Sequence, residues 1–172
     1  MSAIPSTVSQ AVPDQGDRQL VVLTEIAQIL SSTLDLRQGF GRIMQIISES
    51  LQMHRGTLVL LDDSTGRLRT ETAYGLSAED IERNRFALGE GITGNVVATG
   101  RPRIIEDVRR ESDFLNRTAR LKSYEGITTP VSFICVPIKI ESRTIGAVSI
   151  DTHFENAIKV KSDQTFLEII AA

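Results

Sequence analysis

The sequence has one cysteine, no tryptophan, two histidines and no apolar run long enough to span a bilayer. A single cysteine, Cys135, excludes an intrachain disulfide and any all-cysteine metal centre. With aromatics at 5%, the core must be built mostly from Leu, Ile and Val. The amino terminus lacks the apolar centre of a signal peptide, so the expected compartment is the cytoplasm. A net charge of −3 gives no bulk electrostatic preference for nucleic acid or an anionic membrane. What is present is the make-up of one ordinary globular domain: 172 residues, 41% of them hydrophobic and 24% charged.

The chain divides by pattern. Residues 1–16 are small, polar and broken by two prolines, so they are expected to be a disordered leader, with the folded domain over 17–172. From Asp17, a candidate N-cap, Leu20, Leu23, Ile26, Ala27, Leu30 and Leu34 recur at helical spacing. A second helix aligns Leu36, Phe40, Ile43, Ile47 and Leu51, with Met44 and Ile46 broadening the stripe. Then the period changes. Thr57–Leu61 and Leu68–Tyr74 flank the turn cluster Asp62–Gly66 and read as a β-hairpin. Ser77 followed by Asp80 marks the start of a short helix.

A second hairpin, "SFICVPIK" with "TIGAVSID", has bulky even positions (Ile134, Val136, Ile138, Val148, Ile150). Its odd positions are more mixed (Phe133, Cys135, Ala147, Ser149). One face is therefore expected to be packed core, and the other to have room for a cavity. "SDQTFLEIIAA" predicts a last helix from Ser162 or Asp163 that stops in mid-pattern, as expected of a piece of a longer protein. Strands joined by hairpins, with helices at the chain ends, define an α+β domain around an antiparallel sheet.

Gly89–Gly94, "GEGITG", spells the dinucleotide fingerprint G-x-G-x-x-G. Its context is wrong. A polar helical segment precedes it instead of a buried strand, and the helix after it ends by Gly100 and Pro102, too short for a parallel crossover. The glycines read instead as hinges: Gly89 and Gly91 for a sharp turn, Gly94 for close approach to the sheet, Gly100 as the helix stop. The N–H groups of the first helical turn remain a candidate partner for a carboxylate.

"FALGEGITGNVVATGRPRIIEDV" followed by "SFICVPIKIESRTIGAVSID" resembles a GAF domain, over about residues 20–172. "FLNRT" before "SFICVPIK" resembles the amino-terminal GAF domain of NifA-type nitrogen-fixation activators more closely. The resemblance implies a six-stranded antiparallel sheet, with the terminal helices on one face and a lidded small-molecule pocket on the other. It also implies an attached ATPase domain that works with the alternative sigma factor (sigma-54), an attached DNA-binding domain, 2-oxoglutarate as the ligand, and a regulatory partner protein. Cyclic-nucleotide-binding members carry an Asn-Lys pattern that this chain breaks, with Arg85 after Asn84.

On that frame Phe133, Cys135 and Ser149 are candidate pocket walls, and Phe86, Thr93 and Phe114 candidate lid residues. Arg85, Arg101, Arg117 and Arg120 lie near lid elements, and any of them could pair with a dicarboxylate; Arg117 is included in the candidate site. His54 and His153 are read as surface residues with no second histidine at metal spacing. No nucleophile motif is present, and a non-enzymatic module without cofactor is expected. The outward faces of the terminal helices, with Ile29, Met44 and Ile46 at their edges, suggest a homodimer. The alternative function is a ligand-free dimerisation and partner-interaction module.

Overall fold

The computed structural model describes residues 15–32, 35–115 and 124–172. Helices α1 (Gln15–Ser32) and α2 (Leu36–Leu51) lead into strands β1 (Met53–Asp62) and β2 (Arg67–Tyr74). The short α3 (Ala78–Arg83), β3 (Arg85–Ala87), α4 (Gly91–Thr99) and β4 (Arg103–Ile105) follow. The hairpin β5 (Val131–Ile140) and β6 (Arg143–His153) and the helix α5 (Ala157–Ile170) complete the order. The six strands form one sheet, β3-β2-β1-β6-β5-β4, and every pairing is antiparallel.

Strand parity splits the interior into two cores. Leu58, Val148 and Val136 sit side by side across β1, β6 and β5, and Ile150 and Ile134 form the next row. This face packs against α1, α2 and α5 through Ile26, Ile43, Ile47, Phe166 and Leu167, each nearly or fully buried. Each such side chain contributes about 1.5–3 kcal/mol on leaving water. Gly56 permits the contact with α2, because a Cβ there would lie 2.4 Å from Met44 Cε. The opposite face buries Val59, Phe133, Cys135 and Ala147 against Ile92, Val96 and Val97 of α4 and against Val108.

Local signals explain most element ends. Ser77 Oγ accepts from Asp80 N at 3.1 Å, closing the cap of α3. Asp35 caps α2 by accepting from Arg37 N and Gln38 N. α4 ends at Gly100, whose φ of 64° is left-handed and whose N–H donates to Val96 O.

Five expectations need correction. α1 buries Val22, Ile26 and Ile29, whereas Leu20 and Leu30 are exposed, and so is Ala27. Apolar residues occupy adjacent positions 20–23, so the periodicity allows two faces, and packing against α2 and α5 selects one. Asp17 lies within the first turn of α1 instead of capping it. α5 starts five residues before Ser162: Asn156 is its N-cap and accepts from Lys159 N at 2.9 Å. His54 lies within β1, not ahead of it. Of the edge residues proposed for an interface, Ile29 and Met44 are core, and Ile46 packs against that core. Leu34 lies outside the described residues.

Candidate functional site

The odd face of the central hairpin carries two polar rows in otherwise apolar surroundings. In the first, Cys135, Ser149 and Thr57 are aligned across β5, β6 and β1. The Ser149 and Thr57 hydroxyls share a 2.6 Å hydrogen bond. Both residues are buried, so each hydroxyl supplies the partner that water would otherwise provide. In the second row, Phe133, Asp151 and Arg55 are aligned. The Asp151 carboxylate is buried and accepts a hydrogen bond from the Tyr124 hydroxyl. The Arg55 guanidinium lies 5.6 Å from the centre of the Tyr124 ring, a cation–π arrangement.

The cover of this face comes from three places. α4 crosses β5 and β6 and carries Thr93, which is buried. The Phe114 ring meets Phe133 edge to face, with centroids 5.5 Å apart. Phe86, on β3, joins the same apolar cluster from the far side, opposite Leu68. The structure thus brings Phe86, Phe114, Phe133 and Cys135 into one cluster, with Ser149 on the same sheet face and Thr93 on the helix above it. Arg117, Arg120 and the rest of residues 116–123 lie outside the described residues. Arg85 and Arg101 are exposed, and Arg85 pairs with Glu82 at 3.7 Å.

The glycine-rich turn behaves as a hinge. Gly89 and Gly91 have φ of 81° and 60°, and a Cβ on Gly94 would lie 2.5 Å from Ala87 O. A Cβ on Gly91 would lie 2.7 Å from Leu115 Cδ1, so the 113–115 segment lies directly against the start of α4. Glu90 places a carboxylate there: its Oε2 accepts from Ala87 N at 2.7 Å.

Thr57, Arg55, Asp151 and Tyr124 escaped the sequence reading. Asp151 was within reach of it, being two residues beyond Ser149 on the same parity. Tyr124 lies outside any strand or long helix and gives no periodic signal. The backing of this face is pinned by Arg109, which pairs with Asp107 at 2.8 Å and donates to the Ile127 and Thr129 carbonyls. The Arg109 hydrogen bonds hold the Asp107 carboxyl below its usual pKa. A separate apolar cleft of about 380 Å³ opens on the helix-bearing face, between Leu30, Phe40, Ile138 and Ile170.

An antiparallel sheet with long helices on one face and a covered, polar-floored second face is an α+β architecture. The chain belongs to the GAF domain family, whose model matches residues 33–172. It is similar to the nitrogen fixation protein VnfA of Azotobacter vinelandii, at 30% identity over 99% of this chain and 33% of the relative. It is 36% identical to a Nif-specific regulatory protein of Herbaspirillum seropedicae over 77% of this chain and 24% of the relative. The chain therefore spans a third or less of these relatives. Among solved structures, the nlh2 GAF domain of A. aeolicus in an inactive state superposes with a TM-score of 0.79 at 22% identity, covering 90% of this chain and 91% of that one. A free methionine-R-sulfoxide reductase of Neisseria meningitidis in complex with its substrate shares the fold, with a TM-score of 0.71 at 17% identity, over 96% of this chain and 93% of that one. No helix among the described residues is long and apolar enough to cross a membrane.

Proposed function

We propose that this domain is the sensory module of a sigma-54-dependent activator of nitrogen-fixation genes, and that it binds a small metabolite on the polar-floored face to control an attached ATPase domain. The observation that carries the ligand reading is the burial of Thr57, Ser149, Asp151 and Tyr124 on a sheet face otherwise lined by apolar side chains. The similarity to nitrogen-fixation regulators supports the regulatory reading. Control requires the ligand to favour one conformation of the domain over another.

The ligand we favour is 2-oxoglutarate. Arg55 supplies a cation on the face, and the hydrogen-bonded Ser149–Thr57 pair keeps one hydroxyl proton to donate. Phe133 and Cys135 form the wall; Phe86, Thr93 and Phe114 form the cover; Arg117 is the proposed second cation. Asp151 opposes a dianion, so its bond to Tyr124 must hold it away from the ligand carboxylates. Catalysis is not part of this reading: a thiol mechanism needs an accessible thiolate, and Cys135 is buried in mid-strand. The domain acts in the cytoplasm, and DNA contact belongs to the attached DNA-binding domain. Calorimetry and thermal unfolding with 2-oxoglutarate test the assignment. Heat and a raised Tm are expected, both reduced in Arg55→Ala. Neither signal at millimolar ligand would remove the ligand assignment.

A second reading is a ligand-free dimerisation module that responds to a partner protein. It is favoured by the exposed Leu20 and Leu30 of α1, at 66% and 54% exposure, and by Ile169 of α5. Sedimentation separates the two readings. A homodimer that ignores metabolites and dissociates in Leu20→Gln/Leu30→Gln supports the second.

A further inference from the structure

His54 and His153 lie far apart in sequence, yet pairing of β1 with β6 brings their rings together. The ring centroids are 4.7 Å apart, with the planes inclined at 73°. The pair forms where the β1–β6 register shifts between Met53 and Arg55, so His54 is the residue that the irregularity displaces. Its position is fixed by backbone pairing on both sides.

We propose that His54 and His153 form a two-imidazole site for a borderline transition cation such as Cu2+, Ni2+ or Zn2+. With metal–nitrogen bonds of about 2.1 Å, two imidazoles bound cis to one ion have ring centres roughly 5 Å apart. The observed separation needs only side-chain rotation to reach that arrangement. Neutral imidazole ligates all three ions well.

Two neighbouring features suit a cation. The Asp151 carboxylate, paired across the strands with Arg55 next to His54 and two residues before His153, carries a charge that would offset part of that of a bound ion. The His153 Nδ1 faces the Thr129 hydroxyl at 3.4 Å, which leaves Nε2 as the coordinating atom. Among the described residues no three His, Cys, Asp or Glu side chains group closely enough to hold an ion. The proposed site therefore draws two ligands from the described residues, and water completes the shell. Such a site cross-links β1 to β6 beside the Asp151–Tyr124 contact, and it stands whether or not the pocket binds a dicarboxylate.

The test uses the 172-residue chain and the metal salts alone. Electron paramagnetic resonance with one equivalent of Cu2+ is expected to show superhyperfine splitting from two nitrogens. Ni2+ and Zn2+ are expected to raise Tm in proportion to the logarithm of their concentration. His54→Gln and His153→Gln should each weaken Ni2+ binding at least tenfold, with Tm in chelator unchanged. A Cu2+ spectrum with one nitrogen or none in the native chain overturns the site without any variant. Metal-dependent stabilisation that survives in both variants overturns it as well.

Discussion

Among the described residues, Asp163 in the helix-bearing core has a buried side-chain oxygen without a hydrogen-bond partner, and its response to substitution can be worked through. Its side chain is 1% exposed, Oδ2 accepts from Lys159 Nζ at 2.7 Å, and Oδ1 has no hydrogen-bond partner. Lys159, at 15% exposed, keeps some contact with water. Removing one member of a fully buried pair costs about 3–5 kcal/mol, because the survivor is left charged and unpaired. The partial exposure of Lys159 reduces that, so Lys159→Met should cost about 2–3 kcal/mol at pH 7. For a chain of this size, that lowers Tm by roughly 4–12 °C.

The cost is pH-dependent. Burial, the largest influence, raises the Asp163 pKa above its ordinary value, and Lys159 pulls it back. A raised folded-state pKa means that the folded state holds the proton more tightly than the unfolded chain. The stability so gained is full below the unfolded-state pKa and is lost as pH rises through the folded-state value. Lys159→Met removes the opposing influence and moves that loss to higher pH, so the variant should regain stability on going from pH 7 to pH 5. The double variant Lys159→Met/Asp163→Leu removes both charges and should equal or exceed the native chain, by up to about 4 kcal/mol. Urea unfolding at pH 5 and pH 7 measures all three. A Lys159→Met variant as stable as the native chain at both pH values would refute the reasoning.

Gly146→Ala should be severe, because a Cβ there lies 2.2 Å from the Val59 carbonyl, which is backbone and cannot yield; Gly56→Ala should cost far less, since its obstacle is the end of the flexible Met44 side chain. Urea midpoints rank the pair. Ser149→Ala should destabilise by about 1–3 kcal/mol by stranding the Thr57 hydroxyl, and Thr57→Val/Ser149→Ala should recover most of that loss in a double-mutant cycle. Arg109→Ala should speed hydrogen exchange around residues 127–129, where it holds the Ile127 and Thr129 carbonyls. It should also remove a pH effect. Asp107 has a depressed folded-state pKa, so its contribution is present above the unfolded-state value and lost as pH falls through the folded one. In Arg109→Ala that acid-side loss of stability, followed by thermal unfolding from pH 5 to pH 2, should shrink.

The sharing of one sheet face by part of the candidate site could be read before any coordinates. Alternation through residues 133–138 and 147–150 separates the face that bears α1, α2 and α5 from the face covered by α4, because a strand directs successive side chains to opposite sides. That alone puts Phe133, Cys135 and Ser149 together. The same parity reaches Asp151, but a carboxylate at a strand end reads as solvated until Tyr124 is seen against it. α1 shows the converse: its apolar residues outnumber the positions that one face can bury, and the single stripe read through Leu20, Ala27 and Leu30 is not the one that packing buries.

The sequence by itself determined the elements with local causes. The caps at Ser77 and Asp35, the left-handed stop at Gly100 and the hinge at Gly89 and Gly91 depend on side chains or backbone freedom within a few residues. Tertiary structure alone decided what long-range pairing brings together. β3 is three residues long and becomes a strand only because β2 offers it an edge. The His54–His153 contact, the aspartate–tyrosine bond on the face covered by α4 and the burial of Asp163 each join groups that no sequence period relates. They arise from strand register and helix docking, which are settled by summed packing over the whole domain and not by any local run of residues.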